Sequence, residues 1–176
     1  MREIIGSIVN ELNDPKHAFA EHKTSYLIVS ETIKSIFAMH GNSLGYCSAA
    51  HKNRYLTDGP YAITFDEGEW MFDFVWYKMS TIDDQIMEEV PLVLECELSR
   101  KDYGGLKVDF DKLLVAVGST KVFVTTHHYL DQKTAYIQKA LNNFKGFGTH
   151  EVFYLIIWDE NTDEFILKEF SKKNNK

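Results

Sequence analysis

The sequence predicts one α/β domain in which a mixed β-sheet is flanked by helices. Two observations support this prediction. Segments with helical and strand-like periodicity follow one another in the order α-α-β-β-β-α-β-α-β-β. The length of 176 residues, with 44% apolar and 14% aromatic residues, is typical of a globular domain with a substantial core. The domain is expected to span residues 1–171, and residues 172–176 are expected to form a frayed basic tail.

Two helices are predicted at the start of the chain. Apolar residues at helical spacing from Ile5 onward predict a first helix, which ends at the Asn13-Asp14-Pro15 segment. A second helix is predicted from about residue 21 to residue 40, with Gly41 as its stop. Residues 41–60 are long for a plain connection, so they are either a functional loop or contain one further short element.

The rest of the chain predicts six strands and two more helices. Alternating apolar and polar residues between turn-forming residues indicate the strands, and Gly104-Gly105 introduces the first of the two helices. The predicted strands cover residues 61–65, 69–78, 90–98, 121–126, 151–158 and 164–170, and the predicted helices cover residues 106–117 and 131–144.

Composition narrows the classes of function. A net charge of −7 argues against general electrostatic attraction to nucleic acid, although it permits an enzyme whose own carboxylates add negative charge. No apolar run approaches the roughly 20 residues that span a bilayer, and no signal-peptide core is present, so no membrane partner is expected. The two cysteines, Cys47 and Cys96, do not suggest a disulfide framework, and a cytoplasmic location is expected.

The most informative feature is a pair of glutamates in a hydrophobic strand. Glu95 and Glu97 lie two residues apart in the segment 90–98, so in a strand both project from the same face. Leucines and Cys96 occupy the opposite face. Two adjacent carboxylates that lose hydration repel each other, and a cation between them relieves that repulsion.

Asp73 is the second unusual carboxylate, because it lies among the aromatic residues of the segment 70–76. If this strand pairs with the strand of Glu95 and Glu97, three carboxylates converge. Oxygen ligands suit Mg²⁺ or Mn²⁺, and such a site suits phosphodiester hydrolysis. The alternative is structural: Asp73 caps neighbouring backbone or pairs with an arginine, and the two glutamates lie on a solvent-facing side of the sheet.

These residues resemble the PD-(D/E)XK nuclease superfamily, whose restriction-endonuclease-like core carries an aspartate on its second strand and an acidic pair on its third. The resemblance covers roughly residues 69–126, and it is greatest to the BamHI-like branch of restriction endonucleases. It implies a Mg²⁺-dependent (or Mn²⁺-dependent) endonuclease, a hydrolase that acts on DNA, with a homodimer as a plausible assembly. Asp73 and Glu95 would bind the metal, and Glu97 would be a further ligand or would orient the attacking water.

The sequence departs from the family pattern at Glu97, where the family usually has a lysine. Either Glu97 takes over the role of that lysine, or Lys112 reaches the site from the following helix. Lys112 has an alternative interpretation as a solvated helix residue paired with Asp109 or Asp111. The family often adds an acidic residue from a preceding helix, and Glu31 is the candidate for this further metal ligand, with an ordinary surface glutamate as the alternative.

Other interpretations stay open. His127 and His128 could touch phosphate or a metal, but no third ligand has the spacing of a zinc site, which favours a surface loop. The missing lysine and the negative charge are compatible with a catalytically inactive module that binds nucleic acid or a protein partner. An acidic face that binds a basic protein is a third possibility.

Overall fold

The computed structural model describes residues 1–17, 19–22, 25–51, 54–68, 70–83, 85–99, 103–148 and 151–172. These residues form a six-stranded mixed sheet whose spatial order is β1-β2-β3-β4-β5-β6. The first three strands are antiparallel, the third, fourth and fifth are parallel, and the sixth is antiparallel to the fifth. The strands are β1 (Cys47–Ala50), β2 (Phe74–Met79), β3 (Met87–Glu97), β4 (Thr120–Thr126), β5 (Val152–Asp159) and β6 (Glu164–Ser171).

Four α-helices flank the sheet, two on each face, and each pair encloses its own hydrophobic core. Alternation along each strand divides the side chains between the faces, so Leu94 packs on one side and Val93 on the other. The helices are α1 (Arg2–Leu12) and α2 (Tyr26–Ser43) on the first face, and α3 (Tyr103–Val115) and α4 (Leu130–Asn143) on the second, with short 3-10 helices at Pro15–His17 and Phe19–His22. The predicted α/β class, a mixed sheet flanked by helices, is therefore confirmed.

The position of the first strand is a correction. The predicted strand over residues 61–65 is an irregular segment, and the strand at that edge of the sheet is β1, which lies inside the loop-rich segment 41–60. Ser35 Oγ donates a hydrogen bond to the carbonyl of Tyr61, and Phe65 is buried in the core below α2. The apolar residues that suggested a strand therefore cover helix α2 instead.

The parallel centre of the sheet determines where functional residues can meet. Helices α3 and α4 are the crossovers between β3 and β4 and between β4 and β5. The carboxyl ends of these three strands consequently lie at one edge of the sheet. Glu95 and Glu97 are on β3 at that edge, and His127 and His128 directly follow β4.

Three further points concern the ends and the surface. Lys172, the first residue of the predicted frayed tail, donates hydrogen bonds to the carbonyls of Phe144 and Phe147, and residues 173–176 lie outside the described residues. Cys47 and Cys96 are free. None of the described helices is long and apolar enough to cross a membrane.

Substituting Gly41 by alanine is expected to lower the free energy of unfolding by about 1–3 kcal/mol. A Cβ at position 41 would collide with the indole ring of Trp76, lying 2.7 Å from its Cδ1. That ring is fixed in the core, because its Nε1 donates a 2.9 Å hydrogen bond to the carbonyl of Phe37. Denaturant unfolding measures the change.

The matched control is Gly6→Ala in helix α1, where an added Cβ meets no atom within 4 Å. Because alanine favours a helix over glycine, this variant is expected to gain about 0.5–1 kcal/mol. Equal unfolding free energies for the two variants would contradict the packing of Gly41 against Trp76.

Candidate functional site

Asp73 and Glu95 lie beside each other on neighbouring strands. Phe74 pairs with Leu94 in the antiparallel register of β2 and β3, which places Asp73, one residue before β2, next to Glu95. Asp73 Oδ2 accepts a 2.8 Å hydrogen bond from the backbone N–H of Cys96. The backbone of β3 thus fixes the Asp73 carboxylate, and a second carboxylate on the same face lies next to it.

Glu95 is the most unusual group of the site, because its carboxylate is almost completely buried. The residue is 1% exposed, and its Oε1 makes no hydrogen bond. The pKa of Glu95 is raised to about 8, mainly by burial and in part by the charges of Asp73 and Asp109, against the opposing effect of Lys112. Near neutral pH this carboxyl therefore holds a proton unless a cation replaces it.

Lys112 extends from helix α3 towards this pair. Its Nζ lies 3.4 Å from each carboxylate oxygen of Glu95 and 3.0 Å from Asp109 Oδ1. Burial lowers the pKa of Lys112, but the hydrogen bond to Asp109 and the neighbouring negative charges outweigh burial and leave the pKa above its ordinary value. Lys112 is thus both paired with Asp109, as one interpretation predicted, and directed at Glu95, as the other did.

The carboxylate of Glu97 is hydrogen-bonded to Ser99, two residues farther along the chain. Its Oε1 accepts hydrogen bonds from Ser99, at 2.9 Å from the backbone nitrogen and 2.7 Å from the hydroxyl. Among the described residues, no group of three ligand atoms within 4.8 Å of one another includes the three predicted carboxylates. The structure therefore brings Asp73 and Glu95 together and places Glu97 at the border of the site.

Glu31 has a structural role that sequence reasoning did not anticipate. The alternative of an ordinary surface glutamate is wrong, because the residue is buried. Its carboxylate accepts backbone hydrogen bonds from Arg54 at 2.7 Å, Tyr55 at 2.9 Å and Leu56 at 3.1 Å. These three hydrogen bonds replace the hydration that the carboxylate loses on burial. They also hold the segment that follows β1 in place.

Substituting Glu31 by alanine is expected to lower the free energy of unfolding by about 2–4 kcal/mol, because three backbone N–H groups lose a charged acceptor. Thermal or denaturant unfolding measures this loss. Glu21→Ala, which removes an exposed glutamate before α2, is the control and is expected to change stability by less than about 0.5 kcal/mol. An unchanged stability of Glu31→Ala would contradict the structural role.

A cleft of about 630 Å³ opens beside the site, between the end of β3 and helix α2. Asp73 and Glu97 are among the residues that line it, together with Lys34, His51 and Arg54. Lys34 is 9% exposed, and it forms no hydrogen bond or ion pair with any described residue. The cleft therefore combines carboxylates with a largely buried ammonium group. Sequence reasoning missed Lys34, because a lysine in a helix normally suggests solvent exposure.

A second cluster lies farther along the same edge. His127 and His128 follow β4, Glu160 follows β5, and one ligand atom from each lies within 4.8 Å of the others. His128 Nε2 lies 3.0 Å from Glu160 Oε2. The sequence spacing offered the histidines no third ligand, but the parallel pairing of β4 with β5 brings Glu160, which is distant in sequence, close to them.

Lys133 interacts electrostatically with a carboxylate in each of the two regions, Glu97 beside the first and Glu160 in the second. It is 1% exposed, and its Nζ donates 2.9 Å hydrogen bonds to Thr125 Oγ1 and to the carbonyl of Thr126 at the end of β4. Burial lowers the pKa of Lys133 to about 8, and the charges of Glu97 and Glu160 oppose that effect. The buried ammonium group of Lys133 therefore interacts with both carboxylates.

Comparisons with known proteins identify no relative: no family model, no curated protein and no solved structure matches this chain. The chemistry of the site is therefore inferred from its own geometry.

Proposed function

We propose that this chain is a divalent-metal-dependent nuclease of the PD-(D/E)XK type, with a restriction-endonuclease-like fold. Asp73 and Glu95 would hold Mg²⁺ or Mn²⁺, and DNA would be the substrate by analogy with that superfamily. The order of three antiparallel strands, a crossover helix and a parallel strand supports this proposal, as do the aspartate before β2 and the Glu-x-Glu segment at the end of β3.

The observation that carries the proposal is the buried carboxylate of Glu95. Its Oε1 is buried without a hydrogen bond, and Asp73 and Asp109 add negative charge that the single ammonium group of Lys112 does not balance. A hard divalent cation satisfies such oxygen atoms, and Glu95 would then exchange its proton for the cation. The donor set therefore fits Mg²⁺ or Mn²⁺.

In the proposed site, Asp73 and Lys112 would have different roles. Asp73 is held in position by the N–H of Cys96, and the positive charge of Lys112 opposes the rise in the pKa of Glu95 and so favours its ionised form when the cation binds. Lys112 thus occupies, in the proposal, the role of the lysine that Glu97 replaces. When bound, the cation would supply Lewis-acid stabilisation of the negative charge that develops on the phosphoryl group.

The cleft beside the site supports a polyanionic substrate. Lys34 and Arg54 line it together with Asp73 and Glu97, so a phosphate in the cleft would also meet positive charge. An ammonium group that is largely buried and has no described partner is favourable for a bound phosphate. The net charge of −7 is compatible with this local arrangement, because the attraction is confined to the cleft.

The test is a cleavage assay with the purified chain on supercoiled plasmid, single-stranded DNA and RNA, each with Mg²⁺, with Mn²⁺ and with a chelator. We expect cleavage that requires the metal and is lost in Asp73→Asn, whose amide oxygen can still accept the hydrogen bond from Cys96. Asp131→Asn, which changes an exposed aspartate of α4, is the matched control and is expected to cleave like the wild type.

Two results would contradict the proposal. One is the failure of the wild type to cleave any of these substrates with either metal. The other is an Asp73→Asn variant that cleaves as well as the wild type. DNA binding without cleavage would favour the inactive binding module.

A further inference from the structure

The cluster of His127, His128 and Glu160 has the donor set of a transition-metal site rather than of a magnesium site. Two imidazole nitrogens and one carboxylate oxygen are the ligands of many catalytic zinc sites, whereas Mg²⁺ prefers oxygen alone. The ligand atoms already lie within 4.8 Å of one another. Bringing them around one ion therefore needs only small side-chain adjustments.

The backbone around the cluster is held in place on both sides. The N–H of His127 donates a 3.1 Å hydrogen bond to the carbonyl of Trp158, which joins the end of β4 to the end of β5. The N–H of Asp163 donates a 2.8 Å hydrogen bond to the carbonyl of Asp159, which closes the turn that carries Glu160. The positions of the three side chains thus depend on the sheet and not on a long loop.

The surrounding residues orient the ligands as outer partners do in metal sites. Tyr26 Oη donates a 2.7 Å hydrogen bond to Glu160 Oε1, while Glu160 Oε2 faces His128. His127 Nδ1 lies 3.5 Å from Asp159 Oδ1 without forming a hydrogen bond, and its Nε2 lies 3.2 Å from the amide nitrogen of Asn161. Tyr26 is therefore the outer partner of the ligand carboxylate, and Asp159 is the acceptor that lies near Nδ1 of His127. The amide nitrogen of Asn161 can only donate, so it would have to turn away for Nε2 of His127 to bind a metal.

Charge also favours a cation at this position. The two imidazole rings have their centroids 4.4 Å apart, so both can reach one ion. Glu160 and Asp159 contribute two negative charges beside them, and the ammonium group of Lys133 offsets part of this charge. A bound divalent cation would balance the carboxylates.

We propose that His127, His128 and Glu160 bind one Zn²⁺ ion and leave a fourth coordination position open to water. This site is separate from the one proposed at Asp73 and Glu95, since it uses other residues and other donor atoms. It therefore stands or fails independently of nuclease activity.

The test is a titration of the chelator-treated full chain with Zn²⁺ by calorimetry, with the bound zinc counted by elemental analysis. We expect one Zn²⁺ per chain. In Glu160→Gln and His128→Ala the affinity should fall by more than about 100-fold, because loss of an outer partner alone costs about 10- to 100-fold. Tyr26→Phe removes such an outer partner, so its affinity should fall by about 10- to 100-fold.

His40→Gln is the matched control, because it removes a histidine outside the cluster and should leave Zn²⁺ binding unchanged. Glu95→Gln should also retain one Zn²⁺ per chain, which separates this site from the proposed nuclease centre. Circular dichroism and thermal unfolding without zinc establish that the variants fold, and Glu160→Gln keeps an oxygen for Tyr26.

The proposal is overturned if the wild type binds no Zn²⁺, or if Glu160→Gln and His128→Ala bind it as tightly as the wild type. It is also overturned if Glu95→Gln abolishes Zn²⁺ binding while Glu160→Gln retains it.

Discussion

Substituting Glu95 by glutamine is expected to lower metal-dependent cleavage by about 100- to 1000-fold. Lewis-acid stabilisation by a metal is worth several kcal/mol, and each 1.36 kcal/mol or so corresponds to a factor of about ten in rate. Glutamine has nearly the same shape, but it cannot offer the negative charge that the cation needs. Initial rates of plasmid nicking at saturating Mg²⁺ measure the change.

The matched control is Glu88→Gln, the same substitution on the same strand at an exposed position. Glu88 lies 3.9 Å from Lys78 at the surface, and such an ion pair contributes little to stability. This variant should cleave at the wild-type rate. Nicking by Glu95→Gln at a rate close to that of the control would rule out Glu95 as a metal ligand.

The second large effect concerns the stability of the metal-free protein as a function of pH. Burial raises the pKa of Glu95 from 4.5 to about 8, so the folded state binds its proton more tightly than the unfolded state does. The resulting stabilisation is complete below about pH 4.5, and it is lost as the pH rises through about 8. A shift of this size corresponds to at most about 5 kcal/mol.

Burial is the main cause of this effect, and three charged groups near Glu95 modify it: Asp73, just before β2, and Asp109 and Lys112 on α3. The free energy of unfolding, measured with denaturant between pH 5 and pH 8 in the presence of a chelator, should therefore decrease across this range. Mg²⁺ should restore stability mainly near pH 8, where the cation competes against fewer protons.

The control for this measurement is Glu95→Gln, which has no proton to release at this position. Its stability should depend much less on pH over the same range, and Mg²⁺ should not raise it. A wild-type stability that does not fall between pH 5 and pH 8, or that Mg²⁺ leaves unchanged at pH 8, would be inconsistent with a cation site at Glu95.

The features that could be predicted from the sequence are those that depend on local periodicity. The alternation of Glu95 with Leu94 and Cys96 showed that the carboxylate projects from the face of the sheet opposite to those two residues, because neighbouring residues of a strand point to opposite sides. The α/β class, a mixed sheet flanked by helices, followed from the helical and strand-like periodicity of successive segments. Both predictions needed only short segments of sequence.

The features that could not be predicted depend on distant partners. Glu31 is buried because amide groups more than 20 residues away in sequence turn towards it, and no local pattern reports their position. Glu160 joins the two histidines only through the pairing of β4 with β5. Strand β1 was missed because Cys-Ser-Ala-Ala has few residues that favour a strand, and β2 supplies its hydrogen bonds.

The parallel centre of the sheet also bears on the rate at which the chain folds. Strands β5 and β6 are joined by a short turn and can pair early, whereas β3, β4 and β5 can align only after the helices between them are in place. Closing those long connections costs conformational entropy before the contacts between strands that compensate for it have formed. The edge that carries both proposed metal sites is therefore expected to be among the last parts of the molecule to assemble, and a bound cation would act on late folding steps and on unfolding.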